Sequence, residues 1–453
     1  MPNKLFDAFT PVSSKQWKQK IQFDLKGADY NDMLIWKTNE DIAVKPFYHA
    51  DEFSSVPEIS NTKATQWKIC QTIYVFDVEK SNLNAIEALQ KGAESIKFIV
   101  PSESISLEKL LTNIDPVTLI YFELEFLSEF FVAKLLNVFP LAKINTDIIG
   151  KLAKTGNWDS NLNVDFKQFQ SIIKKSITFN VDVSLYQNAG ANMVQQLAYG
   201  LAHANEYLNN LDGPLSKEEK KSFNIIFNVS IGTNYFFEIA KLKALRILWK
   251  TVALEYHFND DCQIIATPTK RNKTLYDYNT NMLRTTTECM SAILGGANTI
   301  CNLAYDAIYH KSNVFGERIA RNQLLVLKHE SYFDKVNNPS DGAYYIENLT
   351  QQLAEKALIL FKDIETNGGF LNQLKVGTIQ RKIKESAKKK QLQFDTGETV
   401  LLGSNKYPNP NDKMKHELEL FPFVKINRRK TLIEPIIERR LAETLEQNRL
   451  KQE

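Results

Sequence analysis

The sequence has almost no net charge, few cysteines and no long apolar run, and each shortage removes a class of protein. Lysine and arginine total 56 against 53 aspartates and glutamates, a formal +3, too near balance to suggest a nucleic-acid or membrane-surface partner. Cys70, Cys262, Cys289 and Cys301 contain no CxxC pair, so they read as reduced structural thiols rather than a disulfide framework or metal site. No apolar run reaches the ~18 residues of a bilayer span, and the first residues lack the apolar core of a secretory signal. The chain is expected to be cytoplasmic. Catalytic signatures are scarce too: the six histidines fall in no HExxH or other ligand spacing, and there is no GxSxG, P-loop or GxGxxG.

What is present is alternation. From Trp67 onward, β-rich apolar runs at 72–76, 96–100, 119–124, 177–186, 225–231, 264–266 and 299–303 are separated by helical patterns. Stripes such as Leu83-Ile86-Leu89, Phe130-Leu135-Val138 and Ile239-Leu242-Leu245-Leu248-Trp249 recur at i, i+3, i+4 spacing. Runs of Ile, Val and Phe without strict alternation suit strands covered on both faces. Seven strands are readable, and an eighth is best placed at 324–326, after Arg321. With no dinucleotide fingerprint, this spacing predicts an α/β fold, a (β/α)8 barrel over residues 66–370, rather than an open doubly wound sheet. An extended N-terminal arm precedes it over 1–65, with a short helix at 14–26. A helical C-terminal extension follows over 371–453, its tail from Lys425 carrying Leu432, Ile436 and Leu441 on one stripe. The arm must bury Trp36 and Tyr48 on something, either its own barrel or a partner chain. Asp182 and Glu238, lone carboxylates near strand ends, read as structural hydrogen-bond partners.

Several ordered words carry a resemblance: Arg284-Thr285-Thr286-Thr287-Glu288, Leu294-Gly295-Gly296, Arg318-Ile319-Ala320-Arg321-Asn322 and Gly342-Ala343-Tyr344-Tyr345-Ile346-Glu347-Asn348-Leu349-Thr350. Earlier in the chain stand Leu34-Ile35-Trp36-Lys37-Thr38, Ala189-Gly190-Ala191 and Glu238-Ile239-Ala240-Lys241-Leu242. From about residue 15 to 370 these resemble the methylmalonyl-CoA mutase family. The resemblance implies a barrel whose small, polar interior takes acyl-CoA along its axis. It also implies adenosylcobalamin on a separate flavodoxin-like domain, and a radical 1,2-rearrangement shielded from solvent.

The departures are as informative. No Asp-x-His word, the family's cobalt-ligating signature, occurs in the chain, so neither a cobalamin domain nor cofactor binding by this chain alone is expected. Counting back from Ala189-Gly190-Ala191, the family's substrate-contacting histidine falls at Leu185. The family's Arg-Thr-His-Cys-Gln word becomes Gln263-Ile264-Ile265-Ala266-Thr267, placing Ile265 at its histidine. Trp-Thr-Ile-Arg-Gln survives as Trp67-Lys68-Ile69-Cys70-Gln71, with Cys70 for the arginine. Because buried polar groups without a partner cost ~1–3 kcal/mol each, three such losses predict a channel refilled with aliphatics. The resemblance then implies a small, non-catalytic subunit, with no catalytic, cofactor-binding or metal-binding residue. Its expected partner is a homologous large catalytic subunit that holds adenosylcobalamin and substrate, in a heterodimer that interconverts methylmalonyl-CoA and succinyl-CoA in propionate metabolism. Two alternatives stay open: the barrel chain of a split mutase for another branched acyl-CoA, and a free-standing scaffold.

Overall fold

A computed structural model describes residues 6–53, 60, 62–425 and 429–453. A short antiparallel hairpin in the arm pairs β1 (Trp36–Lys37) with β2 (Ala43–Val44). The body is built on eight parallel strands: β3 (Lys68–Tyr74), β4 (Ser95–Val100), β5 (Leu119–Leu124), β6 (Lys143–Asn145), β7 (Thr178–Asp182), β8 (Asn224–Ile231), β9 (Cys262–Pro268) and β10 (Thr299–Cys301). Their order is β6-β5-β4-β3-β10-β9-β8-β7. First and last strands pair, with Cys70 opposite Cys301, so the sheet curls into a barrel wrapped by helices. The one open seam lies between β6 and β7, where the Thr178 hydroxyl donates to the Ile144 carbonyl at 3.4 Å. The chain is therefore a nearly closed (β/α)8 barrel.

Period two decides what each strand side meets. Ile96, Phe98, Val100, Ile120, Phe122, Phe179, Val181, Phe227 and Val229 are all buried in the two large apolar clusters shared with the helices. Side-chain caps start the helices where the strands hand over. Asp77 accepts from the Lys80 N–H, Ser128 from Phe131, and Asn192 closes a capping box with Gln195, satisfying first-turn donors that the helix leaves open.

Three expectations need correction. The eighth strand is β6, not 324–326. Leu324 and Leu325 end the helix Val314–Leu325, which continues as a π-helical turn over Val326–Glu330. Those residues are apolar because Leu324 and Leu327 pack on the barrel core, whereas β6 offers only Ile144 between Lys143 and Asn145 and shows no run. The 177–186 run divides into β7 and the helix Ser184–Ala189. The tail from Lys425 is not one helix: residues 429–442 form an extended strap, and only Glu443–Leu450 is helical.

The strap crosses the C-terminal mouth of the barrel. The N–H groups of Leu432 and Ile433 bond the Gly156 carbonyl, Ile436 bonds Ala153, Arg439 bonds Asn188 and Leu441 bonds Arg271. Ile433, Ile436, Leu441 and Ala442 are buried while Leu432 is exposed.

Candidate functional site

Inside the barrel, Cys70, Tyr121, Ile226, Ile265 and Cys301 pack together with Leu119. Cys70 and Ile265 are thus brought into one layer, where the Tyr121 hydroxyl shares a hydrogen bond with Thr299 Oγ1 at 3.0 Å. Burial, with the adjacent Cys301 thiol, pushes the Cys70 thiol well up. All four cysteines are free and buried. Leu185 is not part of this layer. It stands on the helix Ser184–Ala189, 2% exposed, packed in the cluster that holds Tyr186, Leu197 and Phe370.

The expected refilling of the channel with aliphatics does not extend beyond that layer, where two thiols and a tyrosine pack beside Leu119, Ile226 and Ile265. Toward the C-terminal ends of β4 to β8 the interior is polar. Lys97 Nζ lies 2.6 Å from Glu123 Oε2, and Glu123 keeps 37% of its side chain exposed, so this layer is not sealed. Burial works against the Lys97 ammonium, but the Glu123 carboxylate outweighs it and Lys97 is held above its ordinary range. Lys97 in turn holds Glu123 low, aided by the more distant Lys154 and Lys270. At the end of β7 the balance reverses. Burial pushes Asp182 up to about 6, with help from Glu123 and Asp147 and against the Ser184 hydroxyl hydrogen bond.

Beside these charges, Asn145 has both amide atoms without a hydrogen-bond partner, as do Thr146 Oγ1, Asn180 Oδ1 and Asn228 Oδ1. All four residues are buried. Native interiors tolerate few such groups, because each costs ~1–3 kcal/mol unless water or a ligand meets it. The arrangement can therefore present amide donors and acceptors, beside an ion pair and a carboxyl poised near neutrality, to a small polar guest.

A neighbouring polar hub is fully used. Asp147 accepts from Gly150 N, Tyr207 OH, His203 Nε2 and Asp182 N at 2.7–2.9 Å. Burial opposes its charge, but His203 and these donors prevail and hold it low. His203 Nδ1 meets the Tyr186 hydroxyl at 2.9 Å, so the buried imidazole has no free nitrogen. Glu238 is a structural partner, ion-paired with Lys241 at 2.5 Å and accepting from Gly232 N at 2.8 Å. Among the described residues, no three His, Cys, Asp or Glu side chains are grouped to hold a metal, and no helix is long and apolar enough to cross a membrane.

Outside the barrel, Trp36 is 52% exposed, its ring edge-on to Phe237 at 5.8 Å. Tyr48 is half-buried against Tyr345, ring centroids 5.4 Å apart. The arm helix Ser14–Asp24 has no buried residue, and Phe6, Phe9, Trp17 and Phe23 are exposed.

A family model described as methylmalonyl-CoA mutase matches residues 142–449. The chain is 34% identical to the methylmalonyl-CoA mutase small subunit of Porphyromonas gingivalis, over 90% of this chain and 71% of that protein. It is 29% identical to the methylmalonyl-CoA mutase of Cereibacter sphaeroides over 86% of this chain, and 27% identical to that of Rhizobium meliloti over 89%. Of those two longer proteins it spans 64% and 65%.

Proposed function

Because the chain belongs to the methylmalonyl-CoA mutase family, we propose that it is the small subunit of an adenosylcobalamin-dependent methylmalonyl-CoA mutase, paired with a homologous large subunit that carries the cofactor and the chemistry. The observation that carries this reading is Leu185. At the position where the resemblance expects a substrate-contacting histidine, an aliphatic side chain is locked into the outer core, where it can neither donate a hydrogen bond nor transfer a proton. Cys70 and Ile265, in their packed layer, point the same way. His203, the one fully buried imidazole among the described residues, has both ring nitrogens engaged, which supports a cofactor held by the partner. The part assigned to this chain is assembly in a cytoplasmic heterodimer, with the arm over 1–65, Trp36 and Tyr48 included, meeting the partner, the barrel over 66–370 as the body and 371–453 as its extension.

The test is turnover. The purified chain with methylmalonyl-CoA and adenosylcobalamin should form no succinyl-CoA, and co-expression with a large homologue should give an active, co-eluting complex. Turnover by the chain alone sinks the proposal. The unpartnered amides at Asn145, Asn180 and Asn228 favour a second reading, the barrel chain of a split acyl-CoA mutase that keeps a ligand of its own. Saturable acyl-CoA binding by the isolated chain, lost in Asn228→Leu, would move the assignment there.

A further inference from the structure

At the C-terminal mouth, between the loop after β9 and the strap, lies a cleft of about 520 Å³, within the range of small-molecule sites. One wall is apolar, with Ile308, Phe421 and Phe423; the other sets five cations against two carboxylates, Glu443 and Glu438, the latter accepting from Asn188 Nδ2 at 2.9 Å. Of its arginines, Arg439 is paired with Glu443 at 3.1 Å and Arg440 with Glu446 at 2.6 Å. Arg271 has no such counter-ion. It is only 7% exposed, its Nε has no partner, and its guanidinium donates to the Arg439 carbonyl at 2.7 Å. Lys270 and Lys425, also on the wall, make no ion pair among the described residues.

A buried guanidinium without a counter-charge costs several kcal/mol. Burial, and then the nearby Arg439 charge, lowers Arg271 to about 10. Burial also lowers Lys390 to about 8, Arg271 adding to the effect. The fold holds this strained cation in place rather than letting it swing out. Arg271 N donates to Thr269 Oγ1 at 3.2 Å, Thr269 Oγ1 donates to Asn188 Oδ1 at 2.7 Å, and the Arg271 carbonyl is tied to Leu441 N at 2.8 Å. A fixed, desolvated and uncompensated arginine facing a cleft is the chemistry of an anion receptor.

We propose that this cleft binds a small organic phosphate, its phosphoryl group on Arg271 and Lys270 and its apolar body against Phe421 and Phe423. A phosphate monoester suits better than a monocarboxylate because Arg271, Lys270 and Lys425, set against the one wall carboxylate without an ion pair among the described residues, Glu438, leave two positive charges that a dianion matches and a single negative charge does not. The proposal is independent of the mutase reading, since its test needs neither partner nor turnover.

The 453-residue chain is titrated calorimetrically with phenyl phosphate. Saturable binding is expected, weakened about tenfold or more in Arg271→Gln and several-fold in Lys270→Gln, as charge-assisted contacts predict. Lys109→Gln, on the helix Leu107–Leu111 and outside the cleft lining, should bind like the parent. Because Arg271 also anchors the strap, Lys270→Gln and Lys425→Gln, both at exposed positions, keep the test decisive if Arg271→Gln does not fold. No saturable binding, parental affinity in both Lys270→Gln and Lys425→Gln, or benzoate binding as tight as phenyl phosphate would each overturn the assignment.

Discussion

Asp182 concentrates the tension between a barrel that has lost family side chains and one that is still polar inside. Its carboxyl ordinarily titrates near 3.8, and in the fold burial pushes it up to about 6. A raised carboxyl favours the protonated form, so the folded state binds this proton more tightly than the unfolded one. Stability from this site therefore falls as pH rises from about 4 to about 6 and stays reduced above that. Asn at this position can still accept from Ser184 N, as Asp182 does at 3.0 Å, but carries no charge to desolvate. Asp182→Asn should therefore be more stable than the parent by about 2 kcal/mol at about pH 7.5, with less than half of that gain left at about pH 4.5. Urea unfolding at the two pH values measures it; an equal effect at both would refute the shifted carboxyl. Only part of this site was legible in the sequence. Cys70, Ile265 and Leu185 stood out against the family's words, but Lys97, Glu123 and Asn228 sit singly inside apolar runs, and Asn145 lies in a segment with no run at all. Only a period-two reading of Ser95–Val100 and Asn224–Ile231 would have shown that they share the inner face.

At the scale of elements, the strap depends on one glycine. Gly156 ends the helix Ile148–Thr155 in the left-handed region, φ +83°, and its carbonyl receives the strap N–H groups of Leu432 and Ile433 at 2.9 and 3.1 Å. A Cβ there would lie 2.7 Å from the Ile433 carbonyl oxygen and 2.8 Å from Thr431 Cβ. Gly156→Ala should thus combine left-handed strain with a clash against backbone, costing about 2–3 kcal/mol, and should free the strap before the barrel. Amide exchange over 432–441 should rise by orders of magnitude while β8 and β9 stay protected. Uniform exchange would show instead that strap and barrel open together. The strap also explains why the tail misled. Leu432, Ile436 and Leu441 are four and five residues apart, which mimics a helical stripe, yet Pro435 lies among them and the strap's N–H groups bond two helix ends and the loop at Arg271 instead of one another. β6 misled for the opposite reason: three residues with one apolar side chain complete a parallel sheet through pairing with β5, a contact between distant segments that no local pattern records.

Across the whole molecule, the barrel closes on itself at all but one seam and the arm does not. The hairpin anchors the arm, since Ile42 and Val44 join the main core and Asn192 Nδ2 donates to the Asn39 carbonyl at 3.1 Å. Ahead of it, the helix Ser14–Asp24 is tied by the Ser14 N–H to Asp51 Oδ2 at 2.8 Å and by the Trp17 ring edge against Phe47 at 6.2 Å. An eleven-residue helix with no buried side chain is marginal in water unless something packs on it, and its exposed aromatics offer the kind of anchors that interfaces concentrate in a few residues. The large homologous subunit proposed as partner would supply that packing. Removing residues 1–28 takes away this helix while keeping Tyr30 and the hairpin in the chain. The truncated chain should keep its thermal midpoint within a few degrees, because surface losses of this kind cost about 0.5 kcal/mol or less. Its affinity for a co-expressed large subunit, measured by size-exclusion and sedimentation, should fall at least about tenfold, since a few anchors carry most of an interface's energy. A truncated chain that unfolds would mean the arm is part of its own core. One that is stable and still assembles with full affinity would place the interface elsewhere on the barrel.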